Sequence, residues 1–349
     1  MMTNKNIIKN KISLIDLRSP IEFEKGSFLS STNIPILNNE ERSKVGIEYK
    51  KNGQEKAIDL GYKLVEHKKE QIISDWKNFI SNNPKSYIYC FRGGLRSQIA
   101  QSWLKEIGIN ISIIKGGYKS LRNTSINILE SVMTDGKEWI ILAGRTGTGK
   151  TAILNNFKSS IDLENIAQHR GSAFGSMSSP QPTIINFENT LSYKYINHSH
   201  KILVLEDESS RIGRVSIPKI WYEKMQKSKI IVLNLPIDKR INNILKEYIK
   251  EPLSEGVSKN KLNEKLLLSV HNIRKRLGPD MYSKTKTKIE KAFSKSDDDY
   301  HMDWISDLLK NYYDPMYDYQ LLNKKDRYIA NGSQNEIISI INDLEKNQD

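Results

Sequence analysis

The 349-residue chain contains one cysteine, Cys90. It therefore forms no internal disulfide and builds no zinc site from several thiolates. No apolar run approaches the roughly 18 residues needed to span a bilayer. The basic opening, MMTNKNIIKNK, leads into an apolar stretch too short for a secretory signal, so a cytoplasmic location and no membrane contact are expected. There is no internal repeat and no long low-complexity tract. Positive charge is plentiful: the formal net charge is +13. Such a surplus attracts polyanions. The abundance of Lys, Asn and Ile is also what an AT-rich genome produces, so the placement of the charge says more than its total. Residues 219–295 hold 19 Lys and Arg against 8 Asp and Glu, so most of the surplus sits in one window.

The length predicts two domains with a helical extension. Residues 12–20 (ISLIDLRSP), 86–90 (SYIYC) and 111–118 (ISIIKGGY) read as short strands. RSQIAQSWLKEIG between the last two has helical spacing, with Gly108 as its stop. Strand, helix and strand in that order imply a parallel sheet. IEYKKNGQEKA (47–57) reads as a surface loop before a long helix near 59–80. A second series begins with EWIILAG (138–144). Further strands are expected at 182–187 (PTIINF), 201–207 (KILVLED) and 229–235 (KIIVLNL), and from about 238 onward the pattern is helical and polar. The expected domains are 1–125, 126–237 and a basic helical region, 238–349.

Cys90 follows a strand and precedes a helix in YCFRGGLRS (89–97). Gly93 and Gly94 permit the sharp turn between them. Successive N–H groups in such a turn form an anion nest at a helix N-terminus. Arg92 and Arg96 add positive charge, so a thiol here should ionise readily and act as a nucleophile. The competing reading is a small buried cysteine at a strand end.

LAGRTGTGKT (142–151) carries the phosphate-loop pattern: Gly144, Gly149, Lys150 and Thr151 at the required spacing, with Gly147 between, after a strand and before a helix. Its amides and Lys150 suit phosphates, and the Thr151 hydroxyl can hold Mg²⁺. Asp207, closing the apolar run ILVLED, is the expected metal-side carboxylate, with Glu206 as its competitor. The pattern does not choose among ATP, GTP or another diphosphate. His169, Arg170 and Ser172 in HRGS, and Glu208, Ser209 and Arg211 beyond Asp207, are further candidate binding residues; a loop salt bridge or plain surface is the alternative. The basic stretch HNIRKRLGP with Lys284, Lys286 and Lys288 is either an RNA-phosphate contact or a solvated face. Trp221, Tyr222 and Tyr248 either stack on bases or pack a core.

LIDLRSPIEFEKGSFLSSTNIPI (14–36) resembles the opening of a rhodanese domain through Asp16, Arg18, Glu22, Phe23, Asn33, Ile34 and Pro35. The resemblance implies that Cys90 carries sulfur or selenium. The loop from Cys90 to Arg96 is one residue longer than in ordinary sulfurtransferases of that fold and matches the related phosphatases. A rhodanese domain followed by a phosphate-loop domain resembles the tRNA 2-selenouridine synthase family. GGYKSLRN (116–123), ERSKVGIEYKKNG (41–53), DLENIAQHRGSAFG (162–175) and EDESSRIGRVSIP (206–218) carry the likeness along the chain. It implies an α/β fold, a rhodanese-like parallel sheet plus a phosphate-loop domain with a helical extension. It also implies a substrate, the thiolated wobble uridine in the anticodon region of tRNA, rather than DNA. Selenophosphate and geranyl diphosphate are the implied co-substrates, a geranylated thiouridine is the implied intermediate, and no cofactor is expected to be tightly bound, with Mg²⁺ a candidate ion at Thr151 and Asp207. Two other readings stay open. One is a sulfurtransferase or phosphatase domain fused to a small-molecule kinase. The other is a non-enzymatic RNA-binding module that uses the phosphate loop as a switch.

Overall fold

The computed structural model describes residues 2–177, 179–295 and 297–346. Met1, Ser178, Ser296 and 347–349 lie outside the described residues, and with them the extreme ends of the expected 1–125 and 238–349 regions. The chain divides into two compact units: Met1–Ser131 with Pro182–Asn197, and Val132–Gln181 with His198–Asp349. The helical C-terminal region thus belongs to the second unit. Among the described residues, no helix is long and apolar enough to cross a membrane.

The first unit is built on four parallel strands: β1 (Leu14–Asp16), β2 (Ser31–Asn33), β3 (Tyr87–Tyr89) and β4 (Ser112–Ile113), in the spatial order β2-β1-β3-β4. β1 is buried at every position, as a parallel strand covered on both faces must be. Trp76 and Trp103 stack in the core beside Ile15, Leu17 and Ile88. The Trp76 indole keeps its polar edge satisfied by donating to the Ile34 carbonyl at 3.0 Å.

Two expectations fail in this unit. Residues 47–57 are not a loop but part of the helix Asn39–Val65, which opens on a capping box between Asn38 and Glu41. Only Gly53 leaves helical geometry, at φ 85°, and bends the helix there. Its mostly exposed polar side chains made the segment read as a loop. PTIINF is not a strand either. Thr183 caps the helix Ile184–Ile196, accepting from the Asn186 amide. Phe187, Leu191 and Tyr195 then fall on one buried face at intervals of four. That helix completes the first unit: Asn186 accepts from the Ser27 amide at 2.7 Å, and Ser192 meets Ser125 at 2.6 Å.

The second unit has a four-stranded parallel sheet: β5 (Glu138–Ala143), β6 (Ile202–Glu206), β9 (Lys229–Leu233) and β10 (Tyr328–Gly332), ordered β10-β9-β5-β6. Between β6 and β9, the short strands β7 (Arg211–Ile212) and β8 (Val215–Ser216) form an antiparallel hairpin. β10 interrupts the expected run of helices. Its YIANG sequence is poor in apolar residues because it is an edge strand, and the helix Gln334–Lys346 covers it with Ile337 and Ile341. Helices between Ile237 and Leu322 surround a separate apolar core that includes Leu262, Val270, Ile289, Trp304 and Leu308.

The turn after β4 closes against the cysteine loop through two glycines. Gly93 has φ 64° and Gly117 φ 56°. A Cβ on Gly117 would lie 2.2 Å from the Cys90 carbonyl oxygen and 2.3 Å from the Gly93 nitrogen. The close approach lets the Tyr118 amide donate to the Cys90 carbonyl at 2.9 Å and the Lys119 amide to the Phe91 carbonyl at 3.0 Å. Gly117→Ala is accordingly expected to cost about 1–3 kcal/mol through backbone strain alone. Thermal denaturation checks this: a melting temperature equal to that of the unaltered protein would contradict the packing described.

Candidate functional site

The cysteine loop begins at the end of β3. Cys90 is 4% exposed and packs on one side against the core of the first unit, whereas Phe91 and Leu95 are each 41% exposed. Burial alone pushes the thiol up. The Ser97 hydroxyl, the Arg96 charge and the Ser97 and Arg92 amides outweigh it, so the Cys90 pKa falls below that of a free thiol. Ser97 is fully buried at the start of the helix Leu95–Glu106, where amides point to the loop.

Arg96 is held in place from the rhodanese-like opening. Ser19 caps the helix Pro20–Lys25, and Glu22 reaches back to accept from the Ser19 amide at 3.0 Å. The same carboxylate accepts from Arg96 at 2.8 Å. Although burial opposes it, this contact and the Ser19 amide bring Glu22 down to about 2. Asp16 and Arg18 form a buried ion pair, and the Arg18 guanidinium lies 3.7 Å from the Tyr118 ring centroid. Asp16 and Arg18 brace the turn rather than entering the cysteine loop. Arg92 is exposed and contributes its amide to the sulfur.

In the second unit, the phosphate loop leaves β5 and ends at the helix Lys150–Leu154. Gly147 and Gly149 take φ 80° and 81°. Lys150 donates to the Gly144 carbonyl at 3.0 Å. Burial disfavours its charge, but Tyr317, Glu206, Glu208 and Glu164 restore it, and its pKa ends raised. Glu164, Glu206 and Glu208 bring carboxylate oxygens within 4.8 Å of one another. Burial and repulsion by Glu206 and Glu208 push Glu164 to about 10. Burial and Glu206 push Glu208 to about 8. Thr151 Oγ1 lies 3.4 Å from Glu164. One oxygen of Glu206 is buried without a hydrogen-bond partner.

Of the two candidate carboxylates, Glu206 lies in the acidic cluster and Asp207 does not. Asp207 is engaged by Lys324 through both oxygens, at 2.6 and 2.7 Å, while Glu206 ends β6 beside Lys150. A strand alternates its side chains between faces, so neighbouring acids at its end cannot both face the loop. Glu208 joins the cluster, as its nearness in sequence suggested. Arg211 does not: it stands exposed on the β7–β8 hairpin, hydrogen-bonded with Ser209. His169 donates its amide to the Glu164 carbonyl, and its Nδ1 is buried without a partner. Arg170 donates to the Glu247 carbonyl at 3.0 Å, and Ser172 meets the Tyr248 hydroxyl at 3.2 Å. Trp221 is wholly buried against Trp139 and forms part of the core. Lys288 is tied to Asp303 and Asp307, whereas Lys284 and Lys286 are exposed or half-exposed.

Sequence reasoning missed Glu164 and the supports of the phosphate loop. Arg240 donates to the Thr146 carbonyl and pairs with Asp314, Asn243 donates to the Gly147 carbonyl, and Arg145 pairs with Asp318. These partners come from the helical region, far along the chain, where no motif marks them. Glu164 is the exception: DLENIA carries an N-cap aspartate two residues earlier, a signal for a helix start beside the loop.

Because Cys90 is the only thiol, its alkylation by iodoacetamide reports on one group. The rate should rise with pH around a midpoint below that of a free thiol. Arg96→Gln should move that midpoint upward by removing the positive charge. An identical midpoint in the two proteins would contradict the assignment of Arg96.

Comparison with known proteins follows the same division. Residues 137–348 match the tRNA 2-selenouridine synthase AAA domain, and residues 3–124 match the rhodanese-like domain. The tRNA 2-selenouridine synthase of Shewanella frigidimarina (strain NCIMB 400) is 45% identical over 341 residues, covering 93% of this chain and 92% of that protein. The one from Marinobacter nauticus (strain ATCC 700491 / DSM 11845 / VT8) is 42% identical over 342 residues, covering 94% and 93%. On this breadth of similarity, the chain belongs to the tRNA 2-selenouridine synthase family.

Proposed function

We propose that the protein replaces the sulfur of 2-thiouridine, at the wobble position of tRNA, with selenium in two steps. In the first, the thiocarbonyl sulfur attacks the allylic carbon of geranyl diphosphate. The carbon–oxygen bond breaks, diphosphate leaves with the electron pair, and the base loses its N3 proton to solvent. In the second, selenium from selenophosphate replaces the alkylated sulfur at C2. Geranylthiol departs and phosphate is released to water, so the net exchange needs no oxidant or reductant. Alkylation matters because a neutral thioether-like sulfur leaves more readily than a thiocarbonyl. The proposed activity is one that would run in the cytoplasm, where tRNA is modified.

The single observation that carries this reading is the placement of the lone thiol, Cys90, at the end of β3 and before the helix Leu95–Glu106, whose Arg96 is held by Glu22, on a chain of this family. We assign Cys90 to the selenium-transfer step: its thiolate adds at C2 and expels geranylthiol, the selenium of selenophosphate then displaces the cysteine sulfur, and water cleaves the phosphorus–selenium bond, with the loop amides and Arg92 receiving the phosphate of the donor. The first step falls to the phosphate loop. Lys150 and the amides of residues 147–151 would grip the diphosphate and stabilise it as it leaves. The exposed bases of the window 219–295, Lys284 and Lys286 among them, suit an RNA backbone.

The oxygen-only cluster of Glu164, Glu206 and Glu208, with an unpartnered buried oxygen on Glu206, fits Mg²⁺. Thr151 stands beside it and would complete the set; Asp207, neutralised by Lys324, would not. When bound, the ion supplies positive charge against the diphosphate. Its removal from the account leaves Lys150 and the loop amides with the same binding role.

Nucleoside mass spectrometry of treated tRNA tests the division of labour. Cys90→Ser should accumulate geranylated thiouridine and form no selenouridine, and full selenation by that variant would overturn the reading. Lys150→Ala should lower geranylation by about 10²–10³-fold. Glu206→Gln should weaken Mg²⁺ binding by about 10–100-fold in titration calorimetry, and unchanged binding would remove the ion from the site.

A further inference from the structure

The first unit contains an apolar cavity that neither the cysteine chemistry nor the rhodanese-like opening explains. Its volume is about 240 Å³. The bend at Gly53 splits the helix Asn39–Val65 into two arms, and both face the cavity: Val45 from the first, Ile58 and Gly61 from the second. The opposite wall is Leu95, Arg96 and Ile99, the first turns of the helix that carries the cysteine loop. Among the described residues that line it, Arg96 is the one that carries a charge, and the same guanidinium acts on the Cys90 sulfur. Leu95, at the mouth, is 41% exposed.

We propose that this cavity holds the isoprenoid chain of the S-alkylated wobble base while the selenium exchange takes place. The assignment rests on the two-step reading above and deepens it by giving the second reaction its own terpene site. The chemistry asks for such a site. Removing sulfur at C2 requires the base to present its alkyl substituent near Cys90. A ten-carbon apolar chain left in water beside a charged loop would oppose that placement. Seated between the two helical arms and Ile99, the chain fixes the base by its leaving group, so the unalkylated thiouridine is passed over. The bend at Gly53 acquires a purpose here, since a straight helix would carry only one arm to the cavity wall.

The experiment uses the full-length protein with selenophosphate and RNA hairpins whose 2-thiouridine sulfur bears methyl, dimethylallyl or geranyl. The KM should fall as the chain lengthens, by up to roughly fourfold for each buried methylene. Gly61→Leu should fill the cavity, because a Cβ at Gly61 meets only Val45 Cγ2, at 3.9 Å. It should raise the KM for the geranyl substrate by about tenfold or more and leave the methyl substrate within about twofold. Ile58→Ala, which removes contacts without adding bulk, guards against a folding defect and should weaken only the longer chains. Equal KM values across the three substrates, with turnover observed, overturn the cavity assignment alone. Absence of turnover on every alkylated RNA, with selenation of plain thiouridine intact, overturns the two-step reading and the cavity with it.

Discussion

The half-buried ammonium of Lys150 is the constraint around which the second unit is arranged. A charge removed from water must be offset nearby. Glu206 and its neighbours Glu164 and Glu208 do this, but three acids against one lysine leave an excess of negative potential. Glu164 and Glu208 respond by holding protons to about 10 and about 8. A site in that condition favours added positive charge at the carboxylates and added negative charge at the loop amides. The helical region is part of the same arrangement, because Arg240 and Asn243 fix the loop backbone from outside and Asp318 holds the Arg145 side chain.

The first unit meets the opposite requirement, since the proposed chemistry asks its cysteine to become an anion. Burial works against the Cys90 thiolate, and short-range donors overcome it. Glu22 gives that arrangement its rigidity by capping one helix while it positions Arg96 on another. Its folded pKa, about 2, lies below the ordinary carboxylate value. The pair therefore stabilises the unit above about pH 4.5, and the contribution is lost as pH falls toward 2. Across the working range of a tRNA-modifying enzyme the arginine stays in place. The dovetailed Gly93 and Gly117 add a steric lock that no larger side chain can replace.

Much of this was legible in the chain because the signals are local. The strand before each loop, the glycines, Lys150 and Cys90 lie within short motifs whose geometry follows from backbone chemistry. The stop at Gly108 and β1, β3, β5, β6 and β9 are of the same kind. What was misread depends on tertiary context. PTIINF has strand-like residues but a threonine cap and a four-residue apolar interval, and packing against residues of the first unit makes it a helix. β10 is an edge strand with little hydrophobicity of its own. Whether Glu206 or Asp207 faces the loop is a matter of strand register, decided by Lys324, more than a hundred residues later. Arg211 looked close in sequence, and the hairpin at Gly213 carries it out to solvent.

The central claim is that alkylation of the base precedes selenium exchange. It is tested most directly by withholding each donor in turn from the purified protein and a thiolated tRNA, with nucleosides read by mass spectrometry. Geranyl diphosphate alone should yield geranylated thiouridine, selenophosphate alone should leave thiouridine unchanged, and both together should yield selenouridine. Selenouridine formed from selenophosphate alone would contradict the account.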